Sequence, residues 1–242
     1  QMLDFEAASF VQKRLEENGI EVVLGEDVKE IIGEGEIRAV KLESGKTFEA
    51  SLIIVGKGVS PNIDLVREAG IKVNQGIIVN QLLQTNVANI YASGDVAEAF
   101  DLTTGKPAVN ALWPIAVQEG RIAGANMAGD KITYDGSLGV NSIEFFGLPT
   151  VSLGIYKREK GDAAFEELKK SDAKLGVYKK LTLKDNFLLG AILVGDIKTS
   201  GVFLRLIREK IDVSTIKDKL LADNFGFPDL LGLVKDKEKI YV

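Results

Sequence analysis

The chain has 242 residues, 45% hydrophobic and 27% charged, with a formal net charge of -5 and neither cysteine nor histidine. That composition fits a globular protein of one large or two ordinary domains. It excludes disulfides, thiolate and dithiol chemistry, Cys/His zinc sites and Ser-His-Asp triads.

Acidic and basic residues are interleaved, which argues against nucleic acid or an anionic membrane as a main partner. No apolar run approaches the ~18 residues of a membrane span. The first eighteen residues lack a basic start and a small-residue cleavage site. The absence of cysteine permits the cytoplasm, which is the expected compartment.

The chain opens on Gln1, within an amphipathic helix marked by Phe5, Ala8, Val11 and Leu15, with Phe10 also at helical spacing. Gly19 follows as a C-cap and Ile20–Leu24 reads as a strand. A chain that begins with a helix and one that has lost a preceding unit fit this pattern equally. Val28–Ile32, Ile37–Leu42 and Thr47–Glu49 alternate apolar and polar between turn residues Gly33, Gly35, Ser44 and Gly45, which predicts an antiparallel meander. Leu52–Val55 is a continuous apolar run of the buried-strand kind, ending in a loop from Gly56 to Asn62.

Further on, Leu65–Ala69 reads as a short helix, and Ile77–Val79 and Asn89–Ala92 as strands. A long helix is predicted over 112–127, with Ala116, Ile122, Ala123 and Met127 inward. From Gly139 the texture changes. Val140–Phe146, Thr150–Ile155, Lys174–Leu183 and Phe187–Val194 are strand-like, with Lys184-Asp185-Asn186 as a hairpin turn. The stretch Lys157–Ser171 reads as charged and exposed. A helix over Thr199–Glu209 puts Val202, Phe203, Leu206 and Ile207 on one face, giving an α+β order. The apolar tail Phe225–Leu231 suits either an interaction surface or a segment folded onto its own core, the second being favoured.

Chemistry concentrates in Thr85-Asn86-Val87-Ala88-Asn89-Ile90-Tyr91-Ala92-Ser93-Gly94-Asp95. An apolar strand ends there in Gly-Asp, and ligands of open α/β sheets bind beyond the carboxyl ends of strands. Gly94 gives a ligand clearance, and Asp95 can accept hydrogen bonds from sugar-type hydroxyls. The alternative for Asp95 is to cap the next helix.

These eleven residues resemble the second flavin-contacting motif of the FAD-dependent pyridine nucleotide-disulfide oxidoreductase superfamily. Leu52-Ile53-Ile54-Val55-Gly56-Lys57-Gly58-Val59-Ser60-Pro61-Asn62 resembles the crossover from its NAD domain to its FAD domain. Trp113-Pro114-Ile115-Ala116-Val117-Gln118-Glu119-Gly120-Arg121 resembles the helix that approaches the isoalloxazine ring, and Asn141–Gly154 opens what looks like its C-terminal interface domain. The NADH oxidase, nitrite reductase flavoprotein and rubredoxin reductase branch is most similar. The resemblance implies an α/β plus α+β chain: a remnant of an NAD(P)-binding domain over 1–56, the C-terminal part of an FAD-binding domain over 57–131, both Rossmann-like and incomplete, and an α+β interface or dimerisation domain over 132–242.

FAD and NAD(P)H are the implied cofactors. Gly94, Asp95 and Val96 would meet the ribityl chain, Leu112 and Trp113 would start the helix aimed at the flavin, and Glu119, Gly58 and Val59 would line the nicotinamide side. For Trp113 and Glu119, ordinary packing and a solvated helix face are equally open. No catalytic side chain and no metal ligand is identified.

The superfamily's two Gly-x-Gly-x-x-Gly turns are absent. Gly33-Glu34-Gly35 and Gly56-Lys57-Gly58 reach Arg38 and Pro61 where a third glycine belongs, and Ser44-Gly45-Lys46-Thr47 has Val40 in place of a phosphate loop's first glycine. The expectation is therefore a C-terminal fragment of a hydride-transferring flavoprotein, inactive alone. Its partners would be the missing N-terminal half or its separate chain, a second copy of itself, and a small redox protein. The competing reading is a non-catalytic assembly or docking module.

Overall fold

The computed structural model describes residues 2–155 and 165–233. Leu15–Ser60 forms one compact unit, and the described residues on either side of it form the other.

Helix α1 (Phe5–Glu17) enters the smaller unit with its last residues. Gly19 ends it with φ +81°, its N–H donating to Glu16 O, which matches the expected C-cap. The expected meander is present: β1 (Val28–Glu34), β2 (Glu36–Leu42) and β3 (Thr47–Glu49) pair antiparallel in that order. Every residue of β1 is exposed, and its register shifts twice, between Val28 and Glu30 and between Ile32 and Gly33.

The expected strands Ile20–Leu24 and Leu52–Val55 do not form. Among the described residues no strand pairs with either, and Leu52, Ile54 and Val55 are 73%, 85% and 75% exposed. A strand needs a ladder partner as well as apolar content.

In the larger unit, β4 (Ile77–Ile78) pairs parallel with β5 (Ala97–Phe100), and β5 pairs antiparallel with β6 (Pro107–Ala108). Ala123 of helix α2 (Trp113–Met127) packs in one core with Ile77, Ala97 and Ala99. Asn89–Ala92, expected as a strand, makes only a bridge between Gln84 and Tyr91, and the helix expected over Leu65–Ala69 is a 3-10 turn at Asp64–Val66. The buried face of α2 is Ile115, Glu119, Ala123 and Asn126, while Met127, expected inward, is 66% exposed. Glu119 and Asn126 on that face are hydrogen-bonded to backbone groups of Gly94, Leu82 and Ile132.

The remaining chain builds a five-stranded antiparallel sheet. Its strands are β7 (Val140–Phe145), β8 (Leu148–Gly154), β9 (Phe165–Asp172), β10 (Val177–Lys184) and β11 (Phe187–Val194), in the order β7-β8-β11-β10-β9. Strands β10 and β11 are joined through Asp185 and Asn186, both left-handed at φ +49° and +63°, the backbone of a tight two-residue hairpin. Strand β9 corrects the reading of its segment as an exposed stretch; residues 157–164 lie outside the described residues.

Helix α3 (Ser200–Arg208) covers one face of this sheet. Phe203, Leu206 and Ile207 pack with Leu153, Leu181, Leu183 and Leu193. Phe203 stacks on Phe225 at 5.6 Å, and Phe225 and Leu230 are buried in that core. The apolar tail is thus folded onto its own domain, although Phe227 and Leu231 stay exposed.

The opposite face is more polar, carrying Tyr178, Lys180, Thr150 and Ser152. The start of the chain packs there. Asp4 caps α1 by accepting the Ala7 N–H at 2.9 Å. The same carboxylate accepts the Tyr178 hydroxyl at 2.8 Å and pairs with Lys180 at 3.2 Å, and Lys180 also meets Glu167 at 3.0 Å. The hydroxyl of Thr150 is buried on this face without a hydrogen-bond partner.

Candidate cofactor-binding site

Local polar contacts set the chain around β5. The Thr85 hydroxyl accepts the Val87 N–H at 3.1 Å, and Asn86 bridges to Gly70 O and the Lys72 N–H. Glu98, buried within β5, accepts hydrogen bonds from Asn74 Nδ2 (3.0 Å) and from the N–H groups of Gln75 (2.9 Å) and Gly76 (3.1 Å). The loop before β4 is held by this carboxylate. Sequence reading missed it because a lone Glu between alanines carries no motif.

Ahead of β5, Gly94–Val96 forms a 3-10 turn. Gly94 has φ +74°, and a Cβ there would lie 3.3 Å from Ala116 Cβ of α2. Both conformation and clearance call for glycine. Asp95 is exposed, and its carboxylate accepts no hydrogen bond from the described residues. It does not cap α2, which begins at Trp113.

The start of α2 is open. Leu112 occupies the cap position with extended backbone and no side-chain cap, and Pro114 follows in the first turn. A helix leaves its first N–H groups without intrahelical acceptors and concentrates about half a positive charge there. Trp113 is 84% exposed beside them.

Glu119 departs most from expectation. It is 3% exposed, and its Oε2 accepts the Gly94 N–H at 2.8 Å. Burial pushes its carboxyl above the usual range and the charge of Asp95 adds to the shift, while the hydrogen bond from Gly94 opposes it. Tyr134 is fully buried with its hydroxyl beside Glu119; burial and then the charge of Glu119 raise its phenol far above the ordinary value. The structure therefore gathers Gly94, Asp95, Val96 and Glu119 around one turn against α2, whose start supplies Leu112 and Trp113. Gly58 and Val59 belong to the smaller unit, where Gly58 has φ +91° and Val59 is 83% exposed.

The family model for pyridine nucleotide-disulphide oxidoreductases matches residues 1–120, and that for the rubredoxin NAD+ reductase C-terminal domain matches residues 140–211. The chain belongs to the pyridine nucleotide-disulphide oxidoreductase superfamily. It is 30% identical over 213 residues to the nitrite reductase [NAD(P)H] of Bacillus subtilis, covering 88% of this chain and 25% of that protein. With the NADH oxidase of Methanocaldococcus jannaschii it shares 39% identity over 133 residues, covering 54% of this chain and 30% of the relative. Among solved structures, an NAD-dependent persulfide reductase from A. fulgidus superposes with a TM-score of 0.80 at 24% identity, over 94% of this chain and 45% of that one, a likeness of fold. The chain thus spans between a quarter and a half of the length of these proteins. Members of this superfamily are FAD- and NAD(P)H-dependent oxidoreductases.

Proposed function

We propose that these 242 residues supply the flavin-side turn, the helix after it and the C-terminal domain of an FAD-dependent NAD(P)H oxidoreductase. In this reading the two Gly-x-Gly-x-x-Gly turns come from polypeptide outside them. The carrying observation is one piece of geometry: an exposed Asp95 with unused acceptors, on a glycine turn in contact with α2, whose uncapped start is open. Asp95 suits the hydroxyls of a ribityl chain. Gly94 gives clearance, and the N–H groups of Trp113 and Ile115 suit the electron-rich edge of a flavin. When bound, FAD supplies the two-electron chemistry that takes hydride from NAD(P)H and passes electrons to oxygen or a small redox protein. The chain's own groups bind and orient. With no His or Cys, they offer no thiol or imidazole to the reaction.

Relatives support an external acceptor. One is named as an electron transfer subunit of assimilatory nitrate reductase, and a similar structure is a putidaredoxin reductase joined to putidaredoxin. The partners proposed here are the polypeptide with the glycine turns and a small redox protein. The compartment proposed is the cytoplasm; among the described residues no helix is long and apolar enough to cross a membrane.

The test is a visible absorption spectrum of the chain after incubation with FAD and desalting, alone and co-expressed with the N-terminal half of a homologue. The expected result is a colourless chain alone and retained flavin bands with NAD(P)H-dependent bleaching in the complex. Flavin held by the chain alone would refute the claim that it depends on the missing turns. No flavin in a well-formed complex would refute the cofactor assignment.

A further inference from the structure

The carboxylate of Glu119 is buried on the inner face of α2, and its Oε2 takes the Gly94 N–H. That N–H belongs to the residue immediately before Asp95, the side chain offered to ligand. Gly94 is left-handed, one of several conformations open to a glycine, and Glu119 is the side chain bonded to its amide. Around the carboxylate stand the Asp95 charge on the turn and the Tyr134 hydroxyl, with Asp101 acting on Tyr134 from beyond. Asp101 is itself engaged by Thr103, Thr104 and Asn110, and Asn110 reaches Ser137 at 2.6 Å. Asp95 has no such partners.

We propose that Glu119 is the positioning residue of the ligand turn: its buried carboxylate holds the Gly94 amide so that Asp95 is presented to sugar-type hydroxyls. The inference rests on the flavin-side reading of Asp95 for its ligand, but the clamp itself is a property of the unliganded chain. Glutamine keeps a carbonyl acceptor of the same reach and loses the charge, whereas alanine leaves the Gly94 N–H with nothing to donate to. Because burial and Asp95 both favour the protonated form of Glu119, the Gly94 amide reports its protonation above the pH range of an ordinary carboxylate.

The experiment is amide NMR on the chain without cofactor, comparing wild type, Glu119→Gln and Glu119→Ala. In wild type the Gly94 amide proton is expected to shift with pH as Glu119 titrates. In Glu119→Gln the titration disappears and slow exchange survives. In Glu119→Ala, losing one hydrogen bond to a charged acceptor speeds exchange of Gly94 about 10- to 100-fold. The amides of β11 are expected to stay as in wild type in both variants, which separates a loosened turn from a failed fold. Gly94 exchange unchanged in Glu119→Ala, or a Gly94 shift above the pH range of an ordinary carboxylate that persists in Glu119→Gln, overturns the proposal. In the co-expressed complex, FAD affinity is expected to fall with alanine and to recover with glutamine. Equal affinity in all three overturns positioning. Absence of flavin from every complex while the Gly94 signature holds refutes the cofactor reading and leaves the clamp standing.

Discussion

Removing the carboxylate of Asp4 is expected to destabilise the larger unit by about 2–4 kcal/mol, from three contacts that share one side chain. The N-cap bond to the Ala7 N–H is worth about 1 kcal/mol. The Tyr178 hydroxyl donating to a charged acceptor at 2.8 Å is worth about 1.5–3 kcal/mol. Lys180, with a side chain 7% exposed, keeps Glu167 at 3.0 Å, so its ammonium is not stranded and the full penalty of an unpaired buried charge does not apply. Asp4→Asn retains the cap and loses the charge, and should cost less than Asp4→Ala. Urea unfolding followed by circular dichroism, with amide exchange at Ala7 and Tyr178, reads both. The pH dependence has a definite sign. Burial alone would raise the Asp4 carboxyl, but the Ala7 N–H, Tyr178 and Lys180 together hold it below its ordinary 3.8. A depressed folded value means the stabilisation is complete above the unfolded value and is lost as pH falls through the folded one. The gap between wild type and Asp4→Ala should therefore narrow below about pH 4. A gap equal at pH 7 and pH 3, or a loss at pH 7 under about 0.5 kcal/mol, would refute the reasoning.

Phe203→Ala empties a fully buried site stacked on Phe225 and should cost about 3–5 kcal/mol in urea unfolding. Thr150→Val replaces a buried hydroxyl that has no partner with a methyl group of similar shape. It should be neutral or stabilise by about 1 kcal/mol, and a loss of comparable size would show that the hydroxyl is bonded in solution. Gly94→Ala forces a side chain into φ +74° with a 3.3 Å contact to Ala116. A loss of about 1–2 kcal/mol is expected from the conformation alone, together with lower flavin retention in the complex.

Elements punctuated by turn residues were legible in the sequence. The β10–β11 hairpin follows from Asp185 and Asn186, and α3 follows from Phe203, Leu206 and Ile207 recurring on one face. Strand β9 was not. Its Glu166, Glu167, Lys169 and Lys170 look like a solvated run, yet Glu167 meets the buried Lys180, Glu166 pairs with Lys217, and Lys170 with Asp223. Ion pairs from distant positions have no local signature. The site divides the same way. Gly94 and Asp95 were found through a motif resemblance, but the burial of Glu119 was hidden because a charged residue on a helix is ordinarily assigned to solvent. Its spacing from Ile115 and Ala123, four residues each way, was the available signal.

Strand β1 lies at the rim of its sheet, with Val28, Ile31 and Ile32 all more than a third exposed. A rim of that kind is a template on which another chain can extend the ladder. Two register shifts bend this rim, and Lys29, Glu30 and Glu34 place charges along it, devices that blunt an edge against pairing. At Gly33 a Cβ would fall 1.9 Å from Glu36 O, so the second irregularity depends on glycine. The break in this rim's ladder therefore rests on one hydrogen atom in place of a side chain, beside a few charges that salt can screen.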